Sequence, residues 1–371
     1  MTGSKKSAVF FLALALAVVA AVAPQFTRMH TAEPLKKGPG VTAVKQLSDY
    51  FSGLKGMPGD TEVIVLDSGR PGGAVLVLGG THPNEPAGYI SAVLLAERAK
   101  PLQGKLIVIP RANASGFTHN DYAEGSPQRF TLATPSGERW FRYGSRATNP
   151  VDQWPDPDIY VHAASGQRLS GSETRNLNRA YPGRPDGTLT EKVAYAIVQV
   201  IRQEKITLAI DLHEASPEYP VINAIVAHEK AMDVAAVAVL DLEMDKIKIG
   251  LEPSPKTLRG LSHREWGDAT GTLAILMETA NPSQGRLRGA TSEQLVLTGK
   301  DPMYLRAARL GRLFIPYDAN GQDLSLRVAR HVTAVSVLVR DAFEKTPQQA
   351  VILTGIPSYG EITKKGVGAF L

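Results

Sequence analysis

The chain has 371 residues, 43% apolar and 21% charged, with a net charge of +5 and a pI near 9.2. This is a globular profile, long enough for one large α/β domain or two small ones. There is no cysteine, so disulfide scaffolds, thiolate metal sites and cysteine nucleophiles are excluded, and any metal must be held by His, Asp or Glu. Lys and Arg form no runs beyond pairs such as Lys5-Lys6 and Lys36-Lys37, which does not indicate a nucleic-acid partner.

Lys5 and Lys6 precede an uncharged apolar run, Ala8 to Ala23, that ends in the small-x-small triplet Ala21-Val22-Ala23. Residues 1–23 therefore read as a signal peptide or an N-terminal membrane anchor, and the protein as exported, periplasmic or anchored facing outward. Pro24 directly after the triplet hinders cleavage, and the run is slightly short for a span, which needs about 17–25 residues. Residues 24–40, with Pro24, Pro34 and Gly38-Pro39-Gly40, read as a linker.

From Val41 to Leu54 the spacing of Val44, Leu47 and Phe51 predicts a helix. Short apolar runs predict strands at Glu62–Leu66, Ala74–Leu78, Leu106–Ile109, Leu208–Leu212, Val221–Val226 and Thr272–Met277, with a last one at Val351–Leu353. Helical spacing is expected over Gly88–Lys100, Glu191–Gln203, His228–Met244 and Ser325–Phe343. Residues 115–170 carry no periodicity, and a stretch of that length in a compact domain reads as a functional loop or lid. Alternation of helices with uniformly apolar strands predicts a single α/β domain over residues 41–371, with a mixed, mostly parallel sheet and helices on both faces.

Three metal-binding side chains fall at predicted strand ends. His82 and Glu85 follow the run ending at Leu78, and His213 follows Leu208–Leu212. In open α/β sheets ligands bind at the carboxyl ends of strands. Two imidazoles and a carboxylate suit zinc and leave one position open. Asp211, two residues before His213, shares its face and can orient the ring. Glu278 ends the apolar run from Leu273 to Met277, where burial would raise its pKa as a general base requires. The alternative is a salt bridge to Arg264 or Arg286. Arg175, Asn178 and Arg179 offer donors that match a substrate carboxylate.

Gly80-Thr-His82-Pro-Asn-Glu85, Asn176-Leu-Asn178-Arg179-Ala-Tyr-Pro-Gly183, Asp211-Leu-His213 and Glu278 occur in the order found in zinc carboxypeptidase-like hydrolases. The chain resembles their succinylglutamate desuccinylase/aspartoacylase branch over roughly residues 62–285. That resemblance implies one Zn2+ held by His82, Glu85 and His213, a base at Glu278, and Asn178 and Arg179 on the substrate carboxylate. It also calls for an arginine that polarises the scissile carbonyl, for which Arg168 is the first candidate, then Arg175 and Arg111. Pro83 stands where the family has Gly, and Asn176 where it has Asp; the resemblance assigns chemistry to neither.

The implied activity is zinc-dependent hydrolysis of an amide next to a free carboxylate, as in N-acyl amino acid deacylation. An exported carboxypeptidase acting on peptides or peptidoglycan stems is the alternative, and a non-catalytic metal-binding protein a second. The β-rich C-terminal domain common in the aspartoacylase branch is not expected, because the tail is dominated by the Ser325–Phe343 helix.

Overall fold

The protein is described here by a computed structural model, which covers residues 2–121 and 126–371. Eight strands form the central sheet: β1 (Val41–Gln46), β2 (Glu62–Asp67), β3 (Ala74–Leu78), β4 (Lys105–Ile109), β5 (Leu208–Ala215), β6 (Ala224–Ala227), β7 (Gly250–Pro253) and β8 (Leu273–Ala280). Their order is β1-β2-β4-β3-β5-β8-β6-β7. The four middle strands, β4, β3, β5 and β8, run parallel, and antiparallel pairings flank them on both sides. Every residue of β3 and β5 is buried, as a strand covered on both faces requires.

The helices Pro86–Arg98, Met232–Met244 and Leu324–Ala342 cover one face, sharing a core with Val75, Val77, Leu208 and Ile210. The helix Leu189–Gln203 and Trp266 of the helix Ser262–Ala269 cover the other, packed on Leu76, Leu78, Ile107 and Ala209. Alternate residues of each strand thus feed opposite cores. Val328, Val332, Val335, Val339 and Phe343 are all buried along one side of the C-terminal helix, as their spacing predicts.

Two segments differ from the sequence expectation. Val41–Gln46 is an edge strand paired with β2, not the start of a helix; two short 3-10 turns follow and bury Leu47 and Leu54. The β-branched Val41, Thr42 and Val44 suit an extended edge, and the long-range pairing overrides a helical spacing that only three residues supported. The described part of residues 115–170 is not featureless. It holds two hairpins, Arg129–Thr134 with Gly137–Arg142 and Ile159–Val161 with Arg168–Ser170. Phe130 and Phe141 are register partners in the first and are fully buried. Residues 122–125 of this stretch lie outside the described residues.

The N-terminal helix Thr2–Met29 contains Pro24, and its Ser4–Met29 portion is long and apolar enough to cross a membrane. Its apolar window is unburied, and Gln25 and Arg28 near its end line a cleft with Arg129 and Trp140. The stretch read as a linker docks onto the domain: Glu33 is buried against the Tyr89 hydroxyl and Arg111, and the Lys36 N–H donates to Glu97 Oε1 at 2.8 Å.

Candidate metal centre and substrate cavity

β3 ends at Leu78 and delivers the chain to a loop that only a glycine can turn. Gly80 has φ +66, and a Cβ there would meet Phe117 Cε2 and the Pro110 carbonyl oxygen at 2.8 Å each. The loop folds back through a Glu85 N–H to His82 carbonyl bond of 3.0 Å and enters the helix Pro86–Arg98 with proline as its first residue. Gly88 lets this helix press onto β5, since a Cβ there would lie 2.2 Å from the Leu212 carbonyl oxygen. That close approach brings the loop beside the residue following Leu212, His213.

His82, Glu85 and His213 converge so that one ligand atom from each lies within 4.8 Å of the others, and all three are buried. Glu85 is the hub. Its Oε1 lies 2.7 Å from His82 Nδ1 and its Oε2 2.9 Å from His213 Nδ1. The far nitrogen of each ring has its own partner. Asp211 Oδ2 is 2.9 Å from His213 Nε2, and the Thr81 hydroxyl steadies Asp211 through Oδ1 at 2.9 Å. His82 Nε2 lies 2.9 Å from Asn176 Oδ1. The Asn176 amide cannot be reversed, because its nitrogen donates to Glu173 at 2.7 Å and its oxygen accepts the Asn178 N–H at 3.0 Å.

His82 Nε2 therefore carries the proton, and a neutral ring presents the Nδ1 lone pair to a carboxylate oxygen. Burial, aided by Arg146, lowers the His82 pKa to about 4, which favours that neutral ring. Against burial, Asp211 and Glu85 hold His213 well above its ordinary value. Against burial, the two histidines hold Glu85 well below its own. A lone pair facing a carboxylate, as at His82, needs a cation between them. The donor set, two imidazoles and one carboxylate with the outer ring nitrogens anchored, fits a divalent ion such as zinc.

Register places the next group. On the parallel pair β5/β8, His213 stands opposite Glu278. Glu278 Oε2 is buried with no hydrogen-bond partner among the described residues. Burial pushes this carboxyl up to about 8, with the Glu85 charge adding and His213 opposing. Arg264 is engaged by Glu229 at 2.8 Å and by Ser254, so it does not neutralise Glu278.

These groups line one cavity of about 520 Å3, together with Arg146, Asn178, Arg179, Tyr219 and His263. A cleft of about 570 Å3 beside Arg28 and Trp140 has no histidine or carboxylate in its lining, and another of that size has Asp67 and Glu204 but no histidine. Asn178 Oδ1 accepts the Ser262 N–H at 2.8 Å, which leaves its amide nitrogen as the free end. Arg179 spans the Asn178 carbonyl at 2.7 Å and Glu173 at 3.7 Å, and burial lowers its pKa.

The other predicted arginines lie elsewhere. Arg168 is exposed on the outer hairpin and does not line the cavity. Arg175 is held in a two-pronged pair with Asp156 at 2.7 and 2.9 Å and donates to the Thr148 carbonyl. Arg111 is tied to Glu33 and Glu62. The arginine at the His82, Glu85 and His213 group is Arg146, with Nη1 3.2 Å from His82 Nδ1 and 3.4 Å from Glu85 Oε1. It sits just after the first hairpin, in a region with no sequence periodicity, so no pattern singled it out.

The groups that brace β5 from beneath were also silent in the sequence. Glu214 and Arg327 form a fully buried pair at 2.6 Å, and the other Glu214 oxygen accepts the Ala87 N–H at 2.7 Å. Burial nevertheless raises Glu214 to about 7. His331, on the same helix as Arg327, approaches the His213 carbonyl at 3.0 Å. The C-terminal helix thus braces the strand that carries His213.

No protein-family model matches the chain. Over 168 residues it is 24% identical to the N-alpha-acetyl-L-2,4-diaminobutyric acid deacetylase of Halomonas elongata; the match covers 45% of this chain and 35% of that protein. Among solved structures it is similar to the product-bound ectoine utilization protein EutE (DoeB) of Ruegeria pomeroyi, with 20% identity, 61% of this chain and 55% of that one covered, and a TM-score of 0.39. It is also similar to a metallo-carboxypeptidase of Burkholderia cenocepacia, with 11% identity, 83% and 66% covered, and a TM-score of 0.48. The matched segments thus span between about a third and two thirds of these proteins.

Proposed function

We propose that the protein is a zinc-dependent amide hydrolase acting next to a free carboxylate, as an N-acyl amino acid deacylase. The observation that carries this reading is the convergence of two histidine Nδ1 atoms on one Glu85 carboxylate, with the unpartnered carboxyl of Glu278 opposite His213. The order of motifs and the similarity to a deacetylase support it.

His82, Glu85 and His213 would hold the metal. When bound, zinc supplies Lewis acidity that acidifies water and polarises a carbonyl. The chain's own groups do the rest. Asn178 and Arg179 bind the substrate carboxylate and set the amide against the cluster. Glu278 accepts a proton from the attacking water as the new C–O bond forms, then delivers it to the amine nitrogen as the C–N bond breaks. The products are a carboxylic acid and a free amino acid. Arg146, beside the cluster, offsets the negative charge that develops on the carbonyl oxygen, the role for which Arg168 was the first sequence candidate.

The size of the cavity, with the half-exposed Tyr219 in its lining, favours as second reading the release of a C-terminal residue from a peptide. The apolar N-terminal helix serves in either case as export signal or anchor, which puts the substrate outside the membrane.

The test is metal analysis of the purified chain, followed by assays on N-acyl amino acids, short peptides and peptidoglycan stems with and without chelator. Zinc binding and chelator-sensitive cleavage are expected; activity indifferent to chelation would refute the assignment.

A further inference from the structure

One wall of the cavity is not used by the reaction just described. Val226 of β6 pairs in register with Leu276 of β8 on one side and with Glu252 of β7 on the other. Register partners project to the same face of a sheet, so Leu276, Val226 and Glu252 form one row. All three line the cavity. Leu276 is two residues before Glu278 and shares its face. With strands about 4.8 Å apart, the row runs about 10 Å sideways from the catalytic strand. Leu258 and Leu261 flank it.

The row begins apolar and ends in a carboxylate. The Glu252 side chain is exposed at this end of the row and makes no hydrogen bond or ion pair with another described residue. A second polar group in the same cavity is also without a partner: His263 is 3% exposed, and neither ring nitrogen is bonded among the described residues. The cationic side chains of the cavity, Arg146 and Arg179, lie at the metal cluster and beside Asn178.

We propose that the amino acid released as the amine carries a lysine-like cationic side chain, its aliphatic stem on Leu276 and Val226 and its ammonium received by Glu252. This rests on the amide-hydrolase reading above. An acidic side chain would meet the Glu252 carboxylate with like charge. A purely aliphatic one would fill the apolar part of the row and leave the exposed Glu252 carboxylate unpaired. A lysine-like side chain satisfies both halves of the row, and the arginines hold the opposite end of the zwitterion.

The experiment uses the full chain loaded with zinc. Rates are measured on matched lysine, norleucine and glutamate substrates, both as N-acetyl amino acids and as C-terminal residues of a dipeptide. Calorimetry measures binding of the free lysine, norleucine and glutamate products. Lysine is expected to exceed norleucine by about tenfold in kcat/KM, the worth of one charge-assisted hydrogen bond. In Glu252→Gln that ratio should fall toward one, and Glu252→Lys should turn the preference toward glutamate. A wild-type ratio at or below one, or a ratio unchanged in Glu252→Gln, overturns the proposal. Cleavage of no substrate overturns the hydrolase reading instead, and the calorimetric order of lysine over norleucine then decides the pocket separately.

Discussion

His213 and Glu278 are register partners on two adjacent parallel strands, so the buried imidazole and the buried carboxyl face the same cavity from neighbouring backbones. Neither can shift without moving the middle of the sheet. On that geometry, Glu278→Gln should lower kcat by about a hundredfold to ten-thousandfold, the usual contribution of a general acid–base. Bound zinc, measured by metal analysis, should stay near one per chain. Loss of the metal in this variant would show that Glu278 is a ligand rather than a base.

Without a metal the His82 Nδ1 lone pair faces the Glu85 carboxylate. Chelation should therefore lower the melting temperature, and zinc at about a hundred times its Kd should restore about 2.7 kcal/mol. Thermal unfolding with zinc, magnesium and chelator checks this; a melting temperature blind to zinc contradicts it.

The metal-free protein should also show a pH signature from Glu278. Its folded pKa of about 8 lies above the ordinary 4.5, so the folded state holds the proton more tightly. That contribution to stability is full below about 4.5 and is lost as pH rises through about 8. The stability difference between wild type and Glu278→Gln should change over this window, with wild type losing ground at higher pH. Parallel stability curves for the two proteins would count against it.

Asn176 holds the His82 ring from behind through a fixed amide. Asn176→Ala should weaken zinc binding by about 10–100-fold, while Asn176→Asp should largely preserve it. Competition with a zinc indicator measures both.

Among the arginines, Arg146→Ala should cost about a hundredfold or more in kcat, as loss of one oxyanion-stabilising group does. Arg168→Ala, on the exposed hairpin, should stay within about threefold of wild type, about 0.6 kcal/mol by rate arithmetic. The opposite ranking would restore the sequence expectation.

The candidate site residues were legible because their local surroundings announce them. A histidine or carboxylate closing an apolar run, as His213 after Leu208–Leu212 and Glu278 after Leu273–Met277, falls in the carboxyl-terminal part of its strand. Runs of that apolarity also required a sheet covered on both faces. Spacing on the Ser325–Phe343 helix was equally plain, because five apolar residues at period 3.6 admit one buried face. Where the pattern was thin it misled: three residues suggested a helix at Val41–Leu54, and pairing with β2 made an edge strand instead.

What only the tertiary structure decided is which groups meet. Arg146 reaches the cluster and Arg168 does not; Arg175 is consumed by Asp156; Arg327, from a helix more than a hundred residues away in sequence, neutralises Glu214 beneath the site. An arginine is equally stable in water or beside a carboxylate, so its sequence neighbourhood does not constrain its partner. Apolar strands have no such freedom, since their only favourable place is the interior. For that reason the sequence determined the sheet and the residues at its carboxyl ends, while the cations around them, and the row from Leu276 to Glu252, were set by the packing of distant segments.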